Sequence, residues 1–194
     1  MHALLRALFA VTAVCLAMPA TTANASATCR GFSFDEHYTL DNQTLVLNGL
    51  GIRRAFTFVK VYVAGLYLTK KTTNPRDVIE GDQPRALTLK MLRSVTKDQM
   101  GDAWTKGFID NAPALWPAIK PRISAMANLI HDMKEGDVAT FAFHPGVGVD
   151  FIINGKLEGT MPGDDFGRAL FSIYAGPKPP NEGLKTGVLG GPCE

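Results

Sequence analysis

From Thr57 to Leu68 the chain reads TFVKVYVAGLYL, and apolar positions do not alternate with polar ones. In one strand, Phe58, Lys60, Tyr62, Ala64 and Leu66 would share a face, with Val59, Val61, Val63, Gly65 and Tyr67 on the other. A strand apolar on both faces is a central one, covered above and below. Upstream, HYTLDNQTLVLNG places an Asp41-Asn42 turn between two β-prone runs, and Gly49 and Gly51 punctuate the entry to the long strand. RALTLKML is a further strand, reached across a polar connection containing Pro75 and Pro84.

Helical spacing follows. Thr96 with Gln99 three residues on forms a capping box, Val95 can staple against Met100, and Met100, Ala103, Trp104 and Phe108 fall on one stripe. A second helix is predicted from near Pro113 to Met133, with an irregular start at Pro117 and Pro121 and a buried face of Ile123, Met126, Ala127 and Ile130. Pro145-Gly146 and Asn154-Gly155 then read as hairpin turns between three short strands. Asp164 or Asp165 caps a last helix with Phe166, Ala169, Leu170, Ile173 and Tyr174 on one face, stopped by Gly176 and the prolines after it. Strands, then helices, then hairpins, then a helix argue an α+β fold, an antiparallel sheet with helices over one face.

The first residues change the compartment. A short n-region with Arg6, an apolar run from Ala7 to about Met18 and small-residue sites read as a secretory signal peptide over residues 1–27, cut after Ala25 or Ala27. The run is short for a permanent span, so no stable membrane anchor is expected after cleavage, and the product is expected to be periplasmic or secreted. Cys15 leaves with that leader. Cys29 and Cys193 remain near the two ends of one domain, residues 28–194, and an even pair in an exported chain predicts a disulfide. A net charge of +2 lacks the basic excess of a nucleic-acid binder, so no nucleic acid is expected as partner. His37, His131 and His144 have no metal-ligand spacing, Ser172 lacks a nucleophile-elbow context, and PGVGVD sits in a hairpin, so neither metal nor cofactor is expected.

LNGLGIRRAFTFVKVYVAGLYL, together with GVGVDFIINGKLEGTMPGDDFGRALFSIYAGPKPPNEGLKTGVLG, resembles the bacterial branch of the chalcone isomerase-like family, over nearly all of the chain beyond the leader. The resemblance implies an open-faced β-sandwich, a large antiparallel sheet with a helical layer and a ligand cleft between them. The family includes plant enzymes that close chalcones to flavanones and plastid proteins that bind fatty acids. Cyclisation implies an arginine that stabilises negative charge, helped by a threonine, a tyrosine, an asparagine and a second threonine. The Gly49-x-Gly51-x-Arg53 spacing carries the arginine onto Arg53, and the strand threonine falls on Tyr62. The tyrosine and asparagine fall near Met100 and Gly107, and the last threonine near Ile173. Only the arginine is kept, and no Tyr or Asn stands between Thr96 and Lys106.

An arginine with a strand tyrosine is instead similar to the pair by which the fatty-acid-binding relatives hold a carboxylate. A guanidinium gives a fork of donors and a phenol one more. Arg53 and Tyr62 are therefore expected to bind a head group, with Met100, Trp104, Phe108 and Ile173 lining an apolar remainder, and with Lys60 and Arg54 turned to solvent or paired with acids. The plainer assignment has Arg53 bonding loop carbonyls and Tyr62 packed in the core. Nine residues separate the two, which puts them on opposite faces of an unbroken strand, so a bulge or bend is required. Without one, Arg54 shares the face of Tyr62. The expected activity is non-catalytic binding of a small amphipathic carboxylate such as a fatty acid. The alternatives are an intramolecular lyase or isomerase acting on a chalcone-like enone, with Arg53 stabilising charge, and an interaction module with no small ligand.

Overall fold

A computed structural model describes residues 25–56 and 58–194, so most of the expected leader lies outside the described residues. Ser26–Cys29 (β1) and Phe32–Asp35 (β2) form a small hairpin that sequence reading missed. His37–Leu40 (β3) turns into Gln43–Ala55 (β4) through Asp41 and Asn42, both at positive φ, the left-handed geometry that a two-residue hairpin demands. Val59–Leu68 (β5) pairs antiparallel with β4, and the polar connection after it forms a short helix, Pro75–Glu80 (α1), capped by Asn74 with Pro75 in its first turn. Arg85–Met91 (β6), Lys97–Asn111 (α2) and Trp116–Ala127 (α3) follow. Val138–His144 (β7), Gly148–Ile153 (β8) and Lys156–Pro162 (β9) are the expected hairpin strands, with Asn154 and Gly155 both at positive φ. Asp164–Ala175 (α4) and Glu182–Val188 (α5) close the chain.

The main sheet runs β3-β4-β5-β6-β7-β8-β9, each strand antiparallel to its neighbour. This is the α+β architecture expected, and β5 is covered on both faces. On one side Ala64, Leu66 and Leu89 pack with Trp104, Phe108 and Leu170 of the helical layer. On the other, Val63 and Tyr67 pack with Leu45, Ile52 and Phe34 of the β1–β2 hairpin. Gly65 leaves the space into which the Phe34 ring seats, since a Cβ there would stand 2.7 Å from it. The disulfide between Cys29 and Cys193 ties that hairpin to the chain end across 164 residues. Closing so long a loop restricts the unfolded chain by up to about 4–5 kcal/mol.

Three local expectations are corrected. Gly49 and Gly51 do not punctuate the entry to the long strand; they lie inside a preceding thirteen-residue strand, β4. The second helix does not reach from Pro113 to Met133 but spans Trp116–Ala127, and Met133 instead pairs with Val95 as an isolated bridge. Neither Asp164 nor Asp165 is the cap of α4, because Gly163 occupies that position. Asp164 accepts from the Gly146 N–H at 2.8 Å, and Asp165 pairs with Arg122. α4 does stop at Gly176 as expected, and a short helix that sequence reading missed, α5, follows the prolines.

Alternate residues Gly49, Gly51, Arg53 and Ala55 share one face of β4. α5 lies backbone to backbone on the two glycines: a Cβ on Gly49 would come 2.2 Å from the Gly187 carbonyl oxygen, and one on Gly51 2.2 Å from that of Leu184. Both ends of α5 are pinned. Asn48, buried at a register shift in β4, donates to the Val188 carbonyl at 2.7 Å and accepts from the Thr72 N–H at 2.8 Å. Asn181, which caps α5, donates to the Ile52 carbonyl and accepts from the Arg54 N–H, bracketing Arg53. Gly51→Ala should therefore cost about 1–3 kcal/mol or more by overpacking. Gly101→Ala on α2, where a Cβ meets nothing within 4 Å, should stabilise by up to about 1 kcal/mol. Urea unfolding of the two variants checks the contrast.

Candidate functional site

Beyond the end of α5 the helical layer leaves the sheet open, and a cavity of about 580 Å³ lies between the tips of β4, β5 and β6 and the helices α2 and α4. Arg53 enters it from β4. Tyr62 stands directly opposite on β5 as its cross-strand partner, so the two side chains share a face. The opposite-face problem disappears because the chain between them reverses in a hairpin, and a strand does not run through. A bulge also exists: Arg53 pairs with Tyr62 but Arg54 with Lys60, which skips Val61. The skipped residue turns Val59 and Val61 onto the face of Tyr62, where all three line the cavity. The face assignment made for an unbroken alternation therefore holds only from Tyr62 onward. Lys60, opposite Arg54, is exposed.

On the helical side the capping box of Thr96 and Gln99 forms as expected and starts α2, whose Met100 and Trp104 are buried and line the cavity. Ile173 joins them from α4. The structure thus brings together Arg53, Tyr62, Met100, Trp104 and Ile173. It does not bring Phe108, which is fully buried against Phe166, ring centroids 5.5 Å apart, and is core. Gly107 and Ile173, near which the family resemblance carries an asparagine and a threonine, touch each other: a Cβ on Gly107 would lie 2.8 Å from the Ile173 side chain. One apolar contact therefore fills a region where two polar groups would stand.

Sequence reading missed Tyr174. It sits beside Ile173 on α4, a helix buried on nearly every side, so helical periodicity alone could not separate the face that meets the cavity. Trp104 is held edge-on to Phe141 and Phe151, and its indole Nε1–H donates to the Tyr174 hydroxyl at 3.2 Å. Burial pushes the Tyr62 phenol up to about 12, opposed by the charge of Arg53 and by hydrogen bonding from Tyr174. Burial likewise raises Tyr174 well above the ordinary value. Both phenols, protonated at neutral pH as any tyrosine is, therefore stay protonated further into the alkaline range and can act as donors.

Arg53 is half-buried and donates one N–H bond to the Arg54 carbonyl. No carboxylate among the described residues forms an ion pair with it. The guanidinium carries further N–H donors, and Arg53 lines the same cavity as the apolar side chains of Leu89, Met91 and Met100. The rim is firm on the α4 side, where Asn111 of α2 exchanges two 2.9 Å bonds with the backbone of Lys178. Of the other candidates, His144 is fixed between Asp41 and Asp150, at 2.8 and 3.1 Å, and ties the β3–β4 turn to β7 and β8.

A curled antiparallel sheet and one helical layer, with a cavity at their common edge, define a mixed α+β fold. The chain matches the family described as Chalcone isomerase-like over residues 26–190, and it belongs to that family. Among solved structures it is similar to a fatty-acid binding protein of Arabidopsis thaliana, with a TM-score of 0.68 and 15% identity, over 85% of this chain and 96% of that one. At that identity the likeness is one of fold. No curated protein sequence matches the chain.

The raised phenol gives a sign. Above pH 10 the unfolded chain releases a proton from Tyr62 that the folded chain holds until about 12, so stability should fall as pH rises through that window. Absorbance titration should show one late phenol fewer in Tyr62→Phe, and that variant should lose less stability between pH 10 and 12.

Proposed function

We propose that the cavity binds a small amphipathic carboxylate, a fatty acid in the simplest case, without chemical change. The carboxylate lies on the Arg53 fork with the Tyr62 phenol as a further donor, and the tail runs along Met100, Trp104 and Ile173. The observation that carries this reading is the cross-strand placement of Arg53 and Tyr62 at the wall of a cavity that Leu89, Met91, Met100 and Ile173 also line. The cavity volume falls in the range of small-molecule sites, and a charge-assisted pair is strongest where water is excluded. The fold shared with a fatty-acid binding protein supports the same reading.

A second reading, a lyase acting on a chalcone-like enone, gains from the second phenol, Tyr174, beside Tyr62. Turnover of chalcone by the wild-type protein, abolished in Arg53→Ala, would favour it over simple binding. Under the first reading Arg53→Ala weakens palmitate binding by about 10–100-fold while the melting temperature stays nearly unchanged. Arg53→Lys, which keeps the charge and loses the fork, lies between. Isothermal titration checks both, and unchanged affinity in Arg53→Ala rejects the assigned head-group site.

We further infer that the protein is an exported member of its family, acting in the periplasm or outside the cell. The Cys29–Cys193 disulfide favours an oxidising compartment. Because β1 begins at Ser26, cleavage after Ala25 leaves that strand whole, whereas cleavage after Ala27 removes half of it. The intact mass of protein recovered after export should correspond to a chain starting at Ser26.

A further inference from the structure

The β4–β5 hairpin ends in two aromatic side chains with nothing packed over them. Phe56 is 85% exposed and Phe58 78% exposed, ahead of every other large apolar residue among those described. Phe56 also has φ +48°, a left-handed conformation in which Gly or Asn is usual and an aromatic residue is strained. Local turn chemistry thus asks for a small polar residue where the sequence supplies a ring. Neither fold nor core explains the choice.

Position suggests a use. Phe56 lines the mouth of the cavity, three residues beyond Arg53, and Phe58 precedes Tyr62 by four. Around the same mouth stand the exposed cations Arg93, Lys106 and Lys178, with exposed Lys60 on the hairpin itself. The one carboxylate in the cavity lining, Asp110, is paired with Lys106. The other acids of α2, Asp98 and Asp102, face a separate groove towards α3. That leaves Arg93, Lys178 and Lys60 without an ion pair among the described residues, and aromatic rings flanked by such cations are the chemistry of a surface that settles at the headgroup level of an anionic bilayer. A protein partner would be served by the rings alone; the collar of cations is what favours lipid.

We propose that the tip of the β4–β5 hairpin docks the cavity mouth onto a bilayer surface carrying anionic headgroups, so that an amphipathic carboxylate passes between bilayer and cavity without its tail crossing water. The transfer step rests on the proposed carboxylate site; the docking step does not. Phe58 is the residue to change, because it is exposed and does not line the cavity.

The test is co-sedimentation of the protein with phosphatidylglycerol-containing vesicles and with pure phosphatidylcholine vesicles, no fatty acid present. Docking predicts binding to the first kind, weakened by salt, and about a tenfold lower partition for Phe58→Ser, whose melting temperature should be unchanged. In Phe58→Trp, vesicles of brominated phosphatidylglycerol should quench emission beyond the quenching of wild type, which carries Trp104 and Trp116. Equal partition of wild type and Phe58→Ser, or no added quenching in Phe58→Trp, overturns the proposal. So does a Phe58-dependent dimer in sedimentation velocity, which assigns the tip to a second copy. Palmitate binding measured in solution separates the two claims: palmitate binding without vesicle binding sinks docking alone, and vesicle binding without palmitate binding sinks the carboxylate site and leaves docking.

Discussion

The close approach of α5 to the glycine face of β4 is the constraint on which the rest of the site depends. A helix can lie at backbone distance on a strand only where side chains are missing, and Gly49 and Gly51 provide two such positions in succession. The next residue on that face is Arg53, placed just where the helix ends and bracketed by the Asn181 amide. The helical layer is thus sealed up to Arg53 and open beyond it. The motif Asn-Gly-x-Gly-x-Arg has one physical reading along its length: an asparagine that holds the far end of α5, two glycines that admit it, and an arginine that begins the cavity.

Given that geometry, the electrostatics follow. A guanidinium taken partly out of water without a carboxylate partner is held at a cost that an incoming anion relieves. The phenols beside it are neutral at pH 7, as any tyrosine is, and burial extends that neutrality to higher pH, so they add no negative charge of their own. Leu89, Met91 and Met100 supply apolar wall to the same space, and the Gly107–Ile173 contact fills a region where the resemblance to the family's enzymes would place two polar groups. The Arg53 guanidinium and the Tyr62 phenol face one another's strand at one part of this space, and Met100, Trp104 and Ile173 line another, which suits a molecule with one charged end.

Much of this was legible in the sequence. The capping box of α2, the two-residue turns at Asp41-Asn42 and Asn154-Gly155, and the double-sided burial of β5 each follow from local chemistry, and each is present. The hairpin between Ala55 and Val59 was not legible. It lacks the Gly or Asn that marks such turns, so β4 and β5 read as one entry and one long strand, and Arg53 and Tyr62 looked mis-phased. Short elements held by tertiary contact, α5 and the β1–β2 hairpin, have too few residues for a periodicity to show. Tyr174 was hidden for the opposite reason, because its helix is buried nearly all round.

The central claim is that Arg53 and Tyr62 hold an ionised carboxylate out of water, and nuclear magnetic resonance of fatty acid labelled with carbon-13 at the carboxyl carbon addresses it directly. Bound beside the guanidinium, that carbon should keep the shift of a carboxylate as pH falls well below the range in which the free acid titrates. A bound signal that titrates with the free acid would place the head group in solvent and contradict the account.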